Sequence, residues 1–260
     1  MAMVSWTTPL LEINDIGFIQ NVDDIFQAFW VGLRYWEPKG IFKNVDVNFN
    51  QWSGWNFDGQ STYKGGNVNL NLQFTNFWYF SSGINIQGSG QSSSALRGGP
   101  LMKIPESAST WYNISTDDRK QFVVGAGGFT QISAFNYSFN QDLYLNFSYK
   151  PLRNLVFRMS PGYTVQKSNL QYVENPDFGQ EKRYIRASLD QTTFNMSFRA
   201  EYSFSPNLSI QYFARPYLTS GTYSDYKYVL NPSADNYFDR FVRFTQNQVS
   251  YNSDNEEFDI

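Results

Sequence analysis

The feature that most constrains this chain is a strict alternation of apolar and polar residues between positions 67 and 74, where the sequence reads NVNLNLQF. The apolar members are Val68, Leu70, Leu72 and Phe74, and the polar members are Asn67, Asn69, Asn71 and Gln73. Because successive side chains of a β-strand point to opposite faces, the segment predicts a strand with one apolar and one polar face. Two environments fit such a strand: the core and surface of a soluble sandwich, or the lipid and lumen of a membrane barrel.

The same period recurs from about residue 24 to residue 228, which predicts an all-β chain with about ten strands. Four short turns, 37–40, 75–76, 151–154 and 205–207, are expected on one rim, because barrels alternate short turns with longer loops. For turns 75–76 and 151–154 to lie on the same rim, an even number of strands must separate them, which requires an additional strand within residues 89–118. The segment SSALRGGPLMKIP, residues 93–105, is the best candidate for it.

Three features favour a membrane barrel over a soluble secreted β-sandwich that binds a ligand. The stretches 183–204 and 208–228 are longer than ordinary globular strands. The polar positions are rich in Asn, Gln, Ser and Thr, which suits a water-filled lumen. The third feature is a set of aromatic residues towards strand ends, as membrane-interface girdles require. This set comprises Trp30, Trp36, Trp52, Trp55, Trp78, Tyr149, Tyr202 and Phe204.

The sequence therefore predicts an antiparallel up-and-down transmembrane β-barrel, either complete or an incomplete segment of a larger barrel. Residues 1–260 are expected to form a single domain, with residues 229–260 as a C-terminal loop or tail. The acidic end of the chain lacks a terminal amphipathic strand, which favours the incomplete segment.

The composition limits the chemistry that the chain can perform. It contains no cysteine and no histidine, which excludes zinc-thiolate sites, cysteine nucleophiles and the usual Ser-His-Asp triad. We expect no catalytic residues, no metal and no cofactor. The net charge of −3 argues against a nucleic-acid partner, since such proteins carry a basic footprint.

Charged residues at polar-face positions are candidates to line the lumen and to select solutes, or to pair with each other and fill it. They are Arg34, Asp46, Arg158, Arg199, Glu201 and Arg215. A second candidate is the stretch Arg97, Gly98, Gly99 and Pro100, which could form a constriction or a structural turn. Aromatic and polar residues are mixed in 175–183 and 224–240, a composition found in glycan-binding loops.

Several segments, taken in order, resemble the C-terminal region of a family of outer-membrane proteins of Bacteroidetes-type Gram-negative bacteria. The segments are EINDIGF (12–18), RYWEPKGIF (34–42), TNFW (75–78), LRGGPLM (96–102), TDDRK (116–120) and ARPYLTSGTYSDYK (214–227). In that family a domain like carbohydrate-binding module family 9 precedes a β-barrel of uncharacterised function. The resemblance implies an outer-membrane location and further strands before residue 1 and after residue 260, but no catalytic residues.

The predicted function is passage or surface handling of a substrate across the outer membrane, with a glycan as the candidate substrate and no chemistry of the chain's own. The alternative is a non-transporting barrel that anchors a carbohydrate-binding-like domain or belongs to an envelope complex. The expected partners are outer-membrane lipid, a glycan and other envelope proteins.

Overall fold

The computed structural model describes residues 1–12, 22–179, 181–245, 248, 250–252 and 257–259. Residues 13–18 of the first resembling segment, residue 180 of the loop 175–183 and parts of the expected C-terminal tail lie outside the described residues. Strands make up 70% of the structure, and the helices of the described residues are two short 3-10 turns, Ala134–Asn136 and Tyr237–Arg240, which confirms the all-β prediction.

Nineteen strands are present in the described residues. They are β1 (Ala2–Thr7), β2 (Asp24–Tyr35), β3 (Phe42–Trp55), β4 (Ser61–Phe74), β5 (Tyr79–Gln87), β6 (Gly90–Ser92), β7 (Met102–Ile104), β8 (Ser107–Ser115), β9 (Phe122–Ser133), β10 (Ser138–Leu152), β11 (Leu155–Glu174), β12 (Asp177–Phe178), β13 (Glu181–Lys182), β14 (Ile185–Ser205), β15 (Leu208–Ala214), β16 (Tyr217–Val229), β17 (Phe241–Arg243), β18 (Ser250–Asn252) and β19 (Glu257–Asp259).

Thirteen of these strands form one antiparallel sheet in the order β1-β2-β3-β4-β5-β8-β9-β10-β11-β14-β16-β17, with β15 also paired to β14. β15 and β16 pair with different halves of β14 and are separated by Arg215 and Pro216. The break falls at the proline because its ring nitrogen cannot donate a ladder hydrogen bond.

The large antiparallel sheet is open, so of the two alternatives that the sequence left, a complete barrel is not what the described residues form. One edge is β1, which pairs with β2 alone, and the other is formed by β15, which pairs with β14 alone, and β17, which pairs with β16 alone. Closure needs a ladder between the two edges, and none joins them within the described residues.

The strand required between residues 89 and 118 is β8, Ser107–Ser115. The candidate segment 93–105 was the wrong choice, because it forms the tip and return arm of a hairpin whose arms are β6 and β7. Antiparallel order then places the connections in two sets. The short-turn rim contains 36–41, 75–78, 116–121, 153–154 and 206–207, and the long-loop rim contains 56–60, 88–106, 134–137, 175–184 and 230–240.

Cross-strand register gives the sheet two unlike faces. On the apolar face Val31, Phe49, Val68 and Ile84 are successive partners, and Val68 and Ile84 are 49% and 59% exposed. On the polar face the equivalent row begins with Trp30 and continues through Asn50, Asn67 and Asn85.

Buried hydrophobic residues are few, and they gather near the long-loop rim. Those of the described part are Leu96, Met102, Ile185, Ala187, Leu189, Val229 and Tyr237. The described part of the chain contains no helix of the length and hydropathy needed to span a bilayer.

Candidate functional site

The polar face carries the predicted charged residues in two separate groups. Arg34 and Asp46 are Cα partners on β2 and β3, and Arg34 Nε donates to Asp46 Oδ2 at 2.5 Å. Asn48 Nδ2 donates to the other carboxylate oxygen at 3.4 Å. Both side chains are partly exposed. Because they are paired, their charges neutralise each other at the surface of the sheet.

The second group lies on β11 and β14 near the short-turn rim. Arg158 and Arg199 are Cα partners, and both reach Glu201, at 2.9 Å and 3.7 Å respectively. Six strand spacings separate β3 from β11, about 29 Å along the sheet, so the two groups form no single ring of charge on an open sheet. Arg215 is exposed in the break between β15 and β16.

Amide side chains form a connected cluster on β3 and β4. Asn50 Nδ2 donates to Asn67 Oδ1 at 2.6 Å and to Asn48 Oδ1 at 3.1 Å, and Asn69 Nδ2 donates to the same two acceptors at 3.0 and 2.9 Å. A carboxamide both donates and accepts, so neighbouring Asn residues can satisfy each other in a lattice of this kind. The cluster is uncharged and lies at mid-height on the polar face.

Aromatic side chains lie close against glycines on this same face. A Cβ atom added to Gly32 would stand 2.5 Å from the Trp30 ring, and one added to Gly65 would stand 2.9 Å from the Trp52 ring. Gly83 is covered in the same way by Trp111, and Gly127 by Tyr144. Glycine is required at these positions because any side chain would displace the ring, and the ring in turn packs over bare backbone.

Trp30 and Trp52 flank a pocket of about 570 Å³ that also includes Asn50 and Asn67. We call this the tryptophan–amide pocket. Trp52 Nε1 donates to Gln87 Oε1 at 3.3 Å, which fixes the indole across β4. The sequence pattern had assigned both tryptophans to membrane-interface girdles, whereas the structure places them on the polar face beside the amide cluster.

The candidate constriction is the tip of the hairpin formed by residues 88–106, which we call the strap. Arg97 and Gly98 have positive φ angles of 53° and 93°, and the Arg97 guanidinium stacks 3.9 Å from the Tyr172 ring centre. A Cβ atom on Gly99 would meet the Tyr184 ring at 2.6 Å. The stretch Arg97–Pro100 is therefore a turn packed against the long-loop rim at β11 and β14.

The strap is held by hydrogen bonds to segments distant in the chain. Asn175 Nδ2 donates to Leu96 O at 2.9 Å, and Arg186 Nη2 donates to Ala95 O at 3.2 Å. Arg240 Nη1 donates to Lys103 O at 2.8 Å. Together with burial of Leu96 and Met102, these contacts tie the β5–β8 connection to β14 and to the loop 230–240.

Two buried cations support this junction. Arg186 is 1% exposed and donates to backbone and amide oxygens. Lys227, 3% exposed, donates to Asp225 Oδ2 at 2.8 Å. The Asp225 carboxylate therefore compensates the buried charge of Lys227.

The two loops with glycan-binding composition are largely occupied by their own contacts. Arg183 stacks 3.3 Å from the Phe178 ring centre, and Tyr237 is buried against Phe135 and Phe241. No group of three or more His, Cys, Asp or Glu side chains that could hold a metal ion occurs in the residues that the structure describes.

A family model described as a domain of unknown function, DUF5916, matches residues 3–260. The chain belongs to this family. No match was found among curated proteins or among solved structures.

Within this DUF5916 chain, one signal could have located the tryptophan–amide pocket from the sequence. Even positions of β3 are polar, at Asp46, Asn48 and Asn50, so Trp52 shares their face by strand period alone. Trp30 and Arg34 are four residues apart on β2, so they too lie on one face. The partner glycines are on other strands or two residues away, and their role depends on register, which the sequence leaves open.

Proposed function

We propose that this sheet is part of the wall of a β-barrel in the bacterial outer membrane, acting in passage or surface handling of a substrate. The observation that carries the proposal is the combination of an exposed apolar face and an amide-lined polar face on one large sheet. Leu33, Leu143 and Phe194 are 72%, 42% and 47% exposed on three different strands. A continuous exposed apolar surface of this extent is characteristic of a face that meets lipid or a partner.

A soluble sandwich would cover that face with a second sheet. The other sheets in the described residues have two strands each, and the buried hydrophobic residues gather at the long-loop rim instead. The apolar face therefore lacks a packed second layer in this part of the chain, which supports lipid as its neighbour. The open edges at β1 and β15 support a wall segment completed by further strands.

Single cysteines test the proposal cleanly, because the chain has none of its own. Val68→Cys and Asn69→Cys are adjacent on β4 and point to opposite faces. In reconstituted protein, a fluorophore at Val68 should be quenched by lipid-phase quenchers, and a fluorophore at Asn69 by aqueous quenchers. The reverse pattern, or aqueous quenching at both positions, would support the soluble sandwich and reject the barrel.

A barrel that anchors a binding domain or joins an envelope complex is the second candidate. Pairing of Arg34 with Asp46 and of Glu201 with two arginines favours it, since paired charges suit a filled interior. Conductance across a planar bilayer separates the two candidates. Stable channels support passage, and correct insertion without conductance supports the anchor.

A further inference from the structure

We infer that the tryptophan–amide pocket binds a neutral saccharide. The inference deepens the proposed function and rests on it for the route by which a sugar reaches the polar face. The pocket lies over β1 to β4, and Met1, Met3 and Phe26 line it together with Trp30, Trp52 and the two asparagines. Its volume of about 570 Å³ is within the range of small-molecule sites, about 300–1,000 Å³.

The first argument is the exposure of the two indole rings and their packing against glycines. Trp30 is 37% exposed although its ring packs over Gly32, and Trp52 is half-buried over Gly65. Each ring is thus held on one side by the backbone of a glycine and keeps surface towards the pocket. The C–H groups of a pyranose ring pack on such an aromatic face, which gives affinity at small entropic cost because the ring is already fixed.

The second argument is unused hydrogen-bonding capacity. Asn50 Nδ2 donates to two neighbouring amides, but Asn50 Oδ1 has no partner within the described part of the chain. Asn67 Oδ1 accepts two hydrogen bonds, while Asn67 Nδ2 donates none to any described residue. The pocket therefore offers an acceptor and a donor side by side, the pair that a sugar hydroxyl requires because it both donates and accepts.

The third argument is charge. The side chains that line the pocket are uncharged, and the Met1 ammonium beside them already donates to Trp30 O at 2.9 Å. Further along the polar face, Arg34 and Asp46 are joined to each other at 2.5 Å. A charged ligand would lose its hydration without gaining an unpaired opposite charge. Apolar ligands would leave both free amide groups without partners, so a neutral, hydroxyl-rich ligand fits best.

Aromatic rings over glycines also stabilise sheets, so the test must separate a binding role from a purely structural one. The full chain is purified in a zwitterionic detergent without a sugar headgroup and titrated with neutral hexasaccharides of glucose, xylose and N-acetylglucosamine. Calorimetry and tryptophan fluorescence report binding. We expect at least one of these sugars to bind, and a hexamer of galacturonate, which is anionic, to bind more weakly.

Three variants complete the experiment. Trp30→Ala and Asn50→Leu should each weaken binding by about tenfold or more, as truncation of a central contact does. Trp36→Ala is the matched control, since this tryptophan is 71% exposed at the short-turn rim, away from the pocket, and should leave affinity unchanged. Quencher accessibility at Val68→Cys, measured in each variant background, confirms that the sheet is still inserted.

Absence of binding by every neutral sugar, equal binding by Trp30→Ala, or tighter binding of the galacturonate hexamer would overturn the inference. These outcomes are distinct from failure of the proposed function. If the Val68 label lies in lipid and no sugar binds, only the saccharide site is rejected. If a sugar binds and the Val68 label is exposed to water, the barrel is rejected and the saccharide site is supported.

Discussion

The ring of Phe135 stacks on the ring of Tyr237, with centroids 5.0 Å apart and planes 6° from parallel. Phe135 and Asn136 both have positive φ angles, 57° and 54°, in a turn closed by Tyr137 N–H donating to Ala134 O at 3.1 Å. Asn is common in such a turn, but Phe is not, because its Cβ crowds the backbone there. The contact with Tyr237 explains why Phe is nevertheless held, and it joins the β9–β10 turn to the loop 230–240.

Phe135→Asn should therefore loosen the loop without breaking the turn. Relief of backbone strain, about 1–3 kcal/mol, offsets loss of the ring contact, about 0.5–1.5 kcal/mol, so global stability should fall little or rise. Hydrogen exchange of residues 230–241 should become faster, while that of 130–139 stays protected. Phe57→Asn in the connection 56–60 is the control and should leave 230–241 unchanged. Unaltered exchange in 230–241 for Phe135→Asn would show that the stack does not hold the loop.

A second prediction concerns Arg186 and the strap. Arg186→Ala removes the hydrogen bonds to Ala95 O and Asn175 Oδ1 and leaves buried acceptors unpaired, at about 1–3 kcal/mol each. The strap should then detach more often, and trypsin should cleave after Arg97 at least about tenfold faster. The control is Arg183→Ala, which loses a stack on Phe178 at the same rim. Equal cleavage rates in both variants would contradict the role of Arg186.

The strand pattern could be predicted from the sequence because the period of two is a local property. Alternation at Val68 to Phe74 follows from strand geometry alone, and it located β4 and its apolar face. The alternation of short turns and long loops also required an additional strand, which the structure shows to be β8. The position of that strand was wrong, because the segment around RGGP is apolar for a different reason. Leu96 and Met102 of the strap pack against Leu170 of β11 and Val229 of β16, and no local pattern encodes those distant contacts.

The candidate site could be predicted only in part, for a similar reason. Strand parity gave the face of Arg34 and Asp46, but their ion pair depends on the register between β2 and β3. Aromatic residues were assigned by their distance from strand ends, which misplaced Trp30 and Trp52. Strand period places both on the polar face, but the packing of their rings against Gly32 and Gly65 depends on structure beyond that period, and a glycine in a sequence does not reveal which ring will cover it.

A third prediction tests the ring-over-glycine packing directly. A Cβ on Gly83 would overlap side-chain atoms of Asn69 and Trp111, so Gly83→Ala should cost about 1–3 kcal/mol of unfolding free energy. In a Trp111→Ala background the same substitution should cost clearly less, because the indole is gone. Urea titrations of the four proteins measure this coupling. Gly221→Ala is the control, since its nearest neighbour, Leu189 Cδ1, is 3.2 Å away and flexible. Equal costs in the two backgrounds would show that Trp111 does not depend on the glycine.

A fourth prediction follows from Asp117 in the turn 116–121 of the short-turn rim. Arg119 donates to both carboxylate oxygens at 2.8 Å, and its guanidinium stacks 3.2 Å from the Phe77 ring centre. The side-chain hydrogen bond from Arg119 lowers the pKa of Asp117 from 3.8 to about 2. Since the folded-state pKa is below the unfolded value, the ion pair stabilises the turn fully above about pH 4 and is lost as the pH falls through about 2.

Carboxyl carbon shifts of ¹³C-labelled aspartate, followed through an acid titration, measure this pKa directly. Arg119→Met keeps the length of the side chain but removes its donors and its charge, so the pKa of Asp117 should return towards 3.8. Hydrogen exchange in 116–124 should then lose the protection that the native protein retains between about pH 4 and about pH 2. Asp118→Asn is the matched control and should leave the Asp117 titration in place. A pKa near 3.8 already in the native protein, or no rise in Arg119→Met, would mean that Arg119 does not stabilise the Asp117 carboxylate.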